Sequence, residues 1–309
     1  MFRYYRRLVL IGYLILVVLF IRYLTSKPSQ RKFQQNKYCQ NKNLRIDEEF
    51  YSNLVYIPSL NVLFCDVPKA ASTNLRRLLI GHLNQSESYV NLDRKKIWID
   101  YEKFFQQFYL TKTTFHQLFH KSNKNLFKFL IARHPFQRIY SVYYDKFVNN
   151  HLDDTLFGWK QLEEDILLEI NKNYTLITIR RYDIRLDLRT FLLYIVDSIR
   201  KHRLINSHWE QIVRRCAVCW IDYDFFGKIE NFHNDGKILL KKFNENAKQI
   251  QREFPSKELD KKQTKQIQLN NSQLFQLFRE NIQNDDDFKV LVDYYTPDFQ
   301  IFNYSLSNF

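Results

Sequence analysis

Glycine and proline are scarce in this chain, five and six in 309 residues. With few flexible or kinked positions, the body is dense in helices and strands. Acidic residues are in deficit, 33 against 47 Lys and Arg, for a formal charge of +14. Such a surface attracts polyanions: nucleic acid, anionic lipid or an acidic polysaccharide. Hydrophobic residues at 45% and aromatics at 17% suffice for a substantial core and exclude a wholly disordered protein. No internal repeat is present, and the length fits one large domain behind an N-terminal anchor.

The long apolar stretch is at the N-terminus: Leu8 to Ile21 is uncharged, and Tyr23 and Leu24 extend it past Arg22, whose head can snorkel to the interface. Arg3, Arg6 and Arg7 precede it. The expected organisation is a cytoplasmic tail at 1–7, a signal-anchor helix at 8–24, a polar stem at 25–42 and a lumenal domain at 43–309. A cleaved signal peptide shares the basic start, but Leu24-Thr25-Ser26-Lys27-Pro28 matches a small-x-small cleavage site poorly. So short a span suits a thin early-secretory bilayer. Sequons at Asn84, Asn173, Asn270 and Asn303 and an even four cysteines agree with a lumenal setting. There a nucleic-acid partner is excluded, and the polyanion reads as a glycan.

Two strand–loop–helix units organise the body. Asn61–Val67 reads as an apolar strand, and Leu75, Leu78, Leu79, His82 and Leu83 as one helix face. Lys128–Ala132 reads as a second buried strand leading into a helix with Pro135 in its first turn. Further helices are expected at Gln273–Ile282 and Phe288–Tyr295, after a polar connector at Phe254–Lys265. The expected fold is α/β, a parallel sheet flanked by helices with ligands beyond the carboxyl ends of the strands.

Between the first strand and its helix stands Pro68-Lys69-Ala70-Ala71-Ser72-Thr73-Asn74, a lysine and hydroxyls before a helix N-terminus. That is an anion site by construction, because free N–H groups and the positive dipole end face it. A P-loop would read G-x-x-x-x-G-K-[ST]; this loop has no glycine, which counts against an NTPase. The second unit places Arg133 at a strand end, with Arg138 and Ser141 in the helix beyond it. A planar guanidinium donates two parallel hydrogen bonds to a phosphate, and Ser141 can add a hydroxyl.

PKAASTN resembles the 5′-phosphosulfate loop, and RHPFQRIYSVYYDKF the 3′-phosphate motif, of Golgi carbohydrate sulfotransferases in the chondroitin/dermatan 4-O branch. The resemblance continues through His208-Trp209, Cys216-x-x-Cys219, Tyr223 to Glu230, Asp298-Phe299 and Phe302-Asn303-Tyr304-Ser305. It implies a sulfotransferase fold and 3′-phosphoadenosine-5′-phosphosulfate (PAPS) as sulfuryl donor. Lys69 and the loop Pro68–Asn74 would hold the 5′-phosphosulfate, and Arg133 and Ser141, with Arg138 beside them, the 3′-phosphate. It further implies a type II Golgi membrane protein and an acidic glycosaminoglycan acceptor sulfated on the 4-hydroxyl of N-acetylgalactosamine (GalNAc). Leu75 stands where the family usually has Trp, His134 where it usually has an acid, and Ser72 where the branch often has Cys. His134 is expected to add potential positive charge.

Sulfuryl transfer is an in-line displacement, so Lys69 would stabilise the departing phosphate and a base would take the acceptor proton. No metal is implied, since no nucleoside triphosphate needs chelation. Candidate bases are His116 and His120, ahead of the Arg133 strand, and then His208. The four cysteines, Cys39, Cys65, Cys216 and Cys219, read as two structural disulfides with three connectivities open. The pairs Arg76-Arg77, Arg180-Arg181 and Arg214-Arg215 read as solvated faces, some of them lining an acceptor groove.

Overall fold

The computed structural model describes residues 38–39, 50–84, 94–120, 125–149, 158–246 and 269–305. The tail, the anchor, the stem apart from residues 38–39, and the polar connector lie outside the described residues. Among the described residues no helix is long and apolar enough to cross a membrane.

Four strands form one sheet in sequence order: β1 (Leu54–Ile57), β2 (Val62–Cys65), β3 (Phe127–Ala132) and β4 (Phe225–Lys228). β1 and β2 are an antiparallel hairpin whose turn closes on Asn61 at φ 50°, whereas β2–β3 and β3–β4 are parallel. The parallel sheet expected from the two units is therefore present, with an antiparallel edge strand added. All four residues of β2 and the last four of β3 are buried, as continuous apolar runs in a sheet covered on both faces must be. Phe64 stacks on Phe129 at 5.4 Å across that pair. Gly227 on β4 is required by close approach: a Cβ there would meet Phe225 at 3.2 Å and Ile131 at 3.4 Å.

β2 runs into α1 (Ser72–Asn84), and α2 (Arg94–Ile99), α3 (Glu102–Gln106) and α4 (Lys112–His120) cross over to β3. β3 runs into α5 (Pro135–Tyr143), continued by a π-helical turn at Tyr144–Val148. Then come α6 (Trp159–Ile170), α7 (Leu176–Arg181), α8 (Leu188–Arg200) and α9 (Ile212–Arg215) before β4. After it follow α10 (Phe232–Asn246), α11 (Asn271–Asn281) and α12 (Asp285–Ile301). Asn270 and Gln273 form a capping box on α11, and Asn284 with three aspartates starts α12, an arrangement the helix dipole favours. α12 outruns its expected bounds, passing through Pro297 to Ile301.

Two apolar clusters make the core. One joins the sheet to α1 and α10 through Leu63, Leu79, Phe129 and Phe243; the other joins α5, α8, α11 and α12 through Phe136, Phe191, Phe278 and Tyr295. The strand residue Ala132 belongs to the first and Phe136 to the second, so the Arg133-His134 link lies at their seam. Phe136, fully buried and 4.9 Å from Phe278, anchors α5 there; truncating such a ring costs about 3–5 kcal/mol. The disulfide pattern is Cys39–Cys219 and Cys65–Cys216, so the two cysteines of the C-x-x-C pair separately, each with a distant strand or segment.

Candidate active site

From Cys65 the chain turns through Asp66–Ala71 into α1, and its geometry is one that glycine usually serves. Lys69 (φ 67°) and Ala71 (φ 65°) are both left-handed, costing an L-residue about 1 kcal/mol or more each. Other contacts hold the turn. Ala70 N donates to Val67 O at 3.2 Å, and Arg133 Nη1 donates to Lys69 O at 3.1 Å, tying the two sequence motifs together.

Asp66 is the footing of this loop. Its N–H donates to Asn53 O, its carbonyl accepts from Arg215 Nε, and its carboxylate accepts from Tyr109 Oη at 2.5 Å. Arg76 closes the network, with Nη2 3.5 Å from Asp66, Nη1 2.7 Å from Glu102, and its guanidinium 3.9 Å from the Trp98 ring centre. Burial, with the Asp66 charge beside it, pushes the Tyr109 phenol above its ordinary value and keeps it a neutral donor. Arg76 and Arg77 are both buried, so that pair is not the solvated face its sequence suggested. Burying the methylene stems and pairing the heads makes this acceptable.

α5 and the π-turn face the loop. Arg138, Ser141 and Asp145 recur at three- and four-residue spacing, which places them along one helix face. Lys69 Nζ lies 2.5 Å from Asp145 Oδ2. Ser141 is buried, and Arg138 is 1% exposed. Among the described residues none of the three guanidinium nitrogens of Arg138 has a hydrogen-bond partner. A buried cation in that condition is costly unless an anion joins it. The buried indole Nε1 of Trp159 likewise has no acceptor. Lys146 stands 4.8 Å from the Trp159 ring centre, and the His208 ring meets the same indole edge-on at 4.8 Å. Burial first, then Lys146, Lys69, Arg215 and Arg138, hold the His208 imidazole well below its ordinary value, so these cations share one corner with it.

Donors outnumber acceptors here, as a site for phosphate and sulfate oxygens requires. Of the residues expected in the site, Pro68, Ala70 and Ala71 shape the turn, and Ser72 begins α1. Thr73 Oγ1 accepts from Trp98 Nε1, and Asn74 Oδ1 from Arg77. His116 is exposed on α4 against Phe115, and the side chain of His120 lies outside the described residues. His134 differs from expectation. It is fully buried among Phe136, Phe299 and Tyr304, and burial, then Lys228 and Arg133, lowers its pKa to about 4, leaving it neutral. Its backbone N–H donates to Glu230, which also accepts from Tyr304 Oη, so two of the recognisable motifs brace the seam.

Sequence reasoning missed Asp66 and Trp159, quoted Asp145 and Lys146 within the 3′-phosphate motif without giving them a role, and read Arg215 only as part of a basic pair. Asp145 and Lys146 continue the Arg138–Ser141 helix and were within reach of a periodicity argument. Trp159 and Arg215 arrive from distant helices and carry no local signal.

The sequence matches the profile of the Sulfotransferase family over residues 52–305. The chain belongs to that family. Carbohydrate sulfotransferase 11 of Rattus norvegicus is 26% identical over 269 residues, covering 83% of this chain and 68% of the relative. Carbohydrate sulfotransferase 12 of Mus musculus is 25% identical over 252 residues, 70% of this chain and 56% of the relative. Carbohydrate sulfotransferase 10 of Xenopus laevis is 29% identical over 192 residues, 58% of this chain and 50% of the relative. No solved structure matches. As a carbohydrate sulfotransferase the chain is an enzyme that moves a sulfuryl group from PAPS to a glycan. The Lys69 loop, the Arg133 link and the unpartnered Arg138 fit that doubly phosphorylated donor.

Proposed function

We propose that this sulfotransferase acts on the 4-hydroxyl of GalNAc in chondroitin or dermatan, as a type II protein of the Golgi membrane with a lumenal catalytic domain. The observation that carries the donor side is the buried guanidinium of Arg138, with no hydrogen-bond partner among the described residues, on the helix face that continues to Asp145 and its Lys69 partner. Lys69 holds the 5′-phosphosulfate and stabilises the departing phosphate; Arg133, Arg138 and Ser141 hold the 3′-phosphate. The acceptor reading is supported by the net charge of +14 and by the Phe302–Ser305 ending. The charge raises the local concentration of a polyuronate chain, and binding weakens steeply with salt. The apolar run at 8–24 supports the membrane anchor, and the paired cysteines an oxidising lumen.

The test offers labelled PAPS with desulfated chondroitin, dermatan, heparosan or a neutral GalNAc-terminated glycan, followed by lyase digestion. Label in 4-sulfated disaccharides is the expected outcome. Transfer to a uronic acid, as in glucuronyl 3-O sulfation, or only to the neutral glycan overturns the acceptor. Absence of transfer with glycan binding intact would make the chain a silent relative.

A further inference from the structure

We propose that Nε2 of His208 is the general base that takes the acceptor proton, and that donor binding turns it on. This rests on the reading of the site as a PAPS-dependent centre.

The carrying observation is a fixed tautomer. Asn206 Oδ1 accepts from the backbone N–H of His208 at 3.0 Å, which identifies that atom as the oxygen. The same oxygen lies 3.1 Å from His208 Nδ1. An amide oxygen only accepts, so Nδ1 carries the proton and Nε2 keeps its lone pair. Ser207 Oγ, 3.4 Å away, also approaches Nδ1. The edge-on Trp159 sets the ring plane. His208 is half-buried as a residue.

Position links this base to the reacting atoms. From His208 the contacts run through Trp159 to Lys146, from Lys146 to Asp145 at 3.7 Å, and from Asp145 to Lys69 at 2.5 Å. The Lys69 charge reaches the His208 ring, so base and leaving-group cation line one site, where an in-line displacement requires them to act from opposite sides of the sulfur. The step balances. The acceptor O–H bond breaks, its proton passes to Nε2, and the oxygen forms a bond to sulfur. The bond from sulfur to the bridging phosphate oxygen breaks, and its electron pair leaves on the 5′-phosphate beside Lys69.

The charges explain the dependence on donor. Lys69 from the loop, Arg138 from α5, Lys146 from the π-turn and Arg215 from α9 all disfavour a second proton on the ring. Glu210, 3.8 Å from Arg215, is the carboxylate on the ring's own segment, and Asp145 already pairs with Lys69. A neutral imidazole held so low is a poor proton acceptor. The donor brings several negative charges into this corner, offsets the cations and raises the basicity of Nε2 toward its ordinary value.

His208→Asn preserves a donor toward Asn206 and removes Nε2. The expected result is a kcat lower by about 100-fold or more with adenosine 3′,5′-bisphosphate affinity within about twofold of wild type. The acid limb of the kcat profile should vanish in the variant, and NMR titration of wild type should show the His208 pKa rising when the bisphosphate binds. The wild-type titration decides the matter if the variant does not fold. A variant with wild-type kcat and an intact acid limb overturns the inference, as does an imidazole pKa unmoved by the nucleotide or a loss of kcat in His116→Gln alone. Failure of the wild-type protein to bind the bisphosphate would instead remove the proposed function beneath it.

Discussion

The Lys69 ammonium and the Asp145 carboxylate are 2.5 Å apart, joining a left-handed loop residue to a helical turn 76 positions later. On the proposed reading of the site, an incoming phosphosulfate competes with Asp145 for the same cation. Asp145→Asn should bind adenosine 3′,5′-bisphosphate about 3–10-fold more tightly at low salt, with a steeper salt dependence. Lys69→Ala should lower kcat by about 10²–10³-fold with a smaller effect on nucleotide affinity, since its contact strengthens as charge develops on the leaving group. Calorimetry and steady-state rates separate these; weaker nucleotide binding in Asp145→Asn would refute the competition.

Arg138 should trade stability for binding. Its guanidinium is buried with no hydrogen-bond partner among the described residues, and only the nearby Asp298 charge offsets it, so Arg138→Met replaces an incompletely compensated charge by an apolar chain of similar length. The free variant should be at least as stable as wild type, while the rise in Tm that adenosine 3′,5′-bisphosphate gives wild type disappears. A nucleotide-induced shift of wild-type size in the variant would remove Arg138 from the site.

The Arg76 network should behave in the opposite way. Arg76→Ala leaves Asp66 without its buried cation and Glu102 without its partner, costing about 3–5 kcal/mol of stability in denaturant unfolding. Because Asp66 is the footing of the Lys69 loop, activity should fall even in the folded fraction. An effect below about 1 kcal/mol would show the network to be ornamental.

Acid should destabilise the fold through His134. Its folded pKa of about 4 lies below the ordinary imidazole value, so between about 4 and 6.5 the unfolded chain binds more protons than the folded one. Stability from this group is therefore full above about 6.5 and is lost as pH falls toward 4. Asp298 acts oppositely. Burial raises its pKa to about 6 against Arg138 and two backbone N–H donors, so its contribution is lost as pH rises through that value. His134→Phe, which suits the surrounding aromatic edges, should flatten the loss between pH 6.5 and 4.5 in denaturant titrations. An unchanged slope would place the acid sensitivity elsewhere.

How much of this was legible beforehand depends on the range of each interaction. The strands at Val62–Cys65 and Phe127–Ala132 and the helices after them were readable because buried runs and helical spacing are local patterns. β1 was missed, since a four-residue run stopped by Pro58 has no periodicity to measure. β4 was quoted as a motif, not read as a strand, because Gly227 and Lys228 weaken its pattern.

The sequence alone determined that a lysine loop and an arginine link follow two strand ends, because helix N-termini and strand–helix order are written in neighbouring residues. It also named the residues that resemble a sulfotransferase donor site. Only the tertiary structure decided which cysteines pair, that His134 is buried and neutral, and that Arg138, Lys146, Trp159 and His208 meet at one corner. Those outcomes depend on contacts between segments tens to more than a hundred residues apart. Solvation and charge at each group are set by neighbours that no local pattern contains.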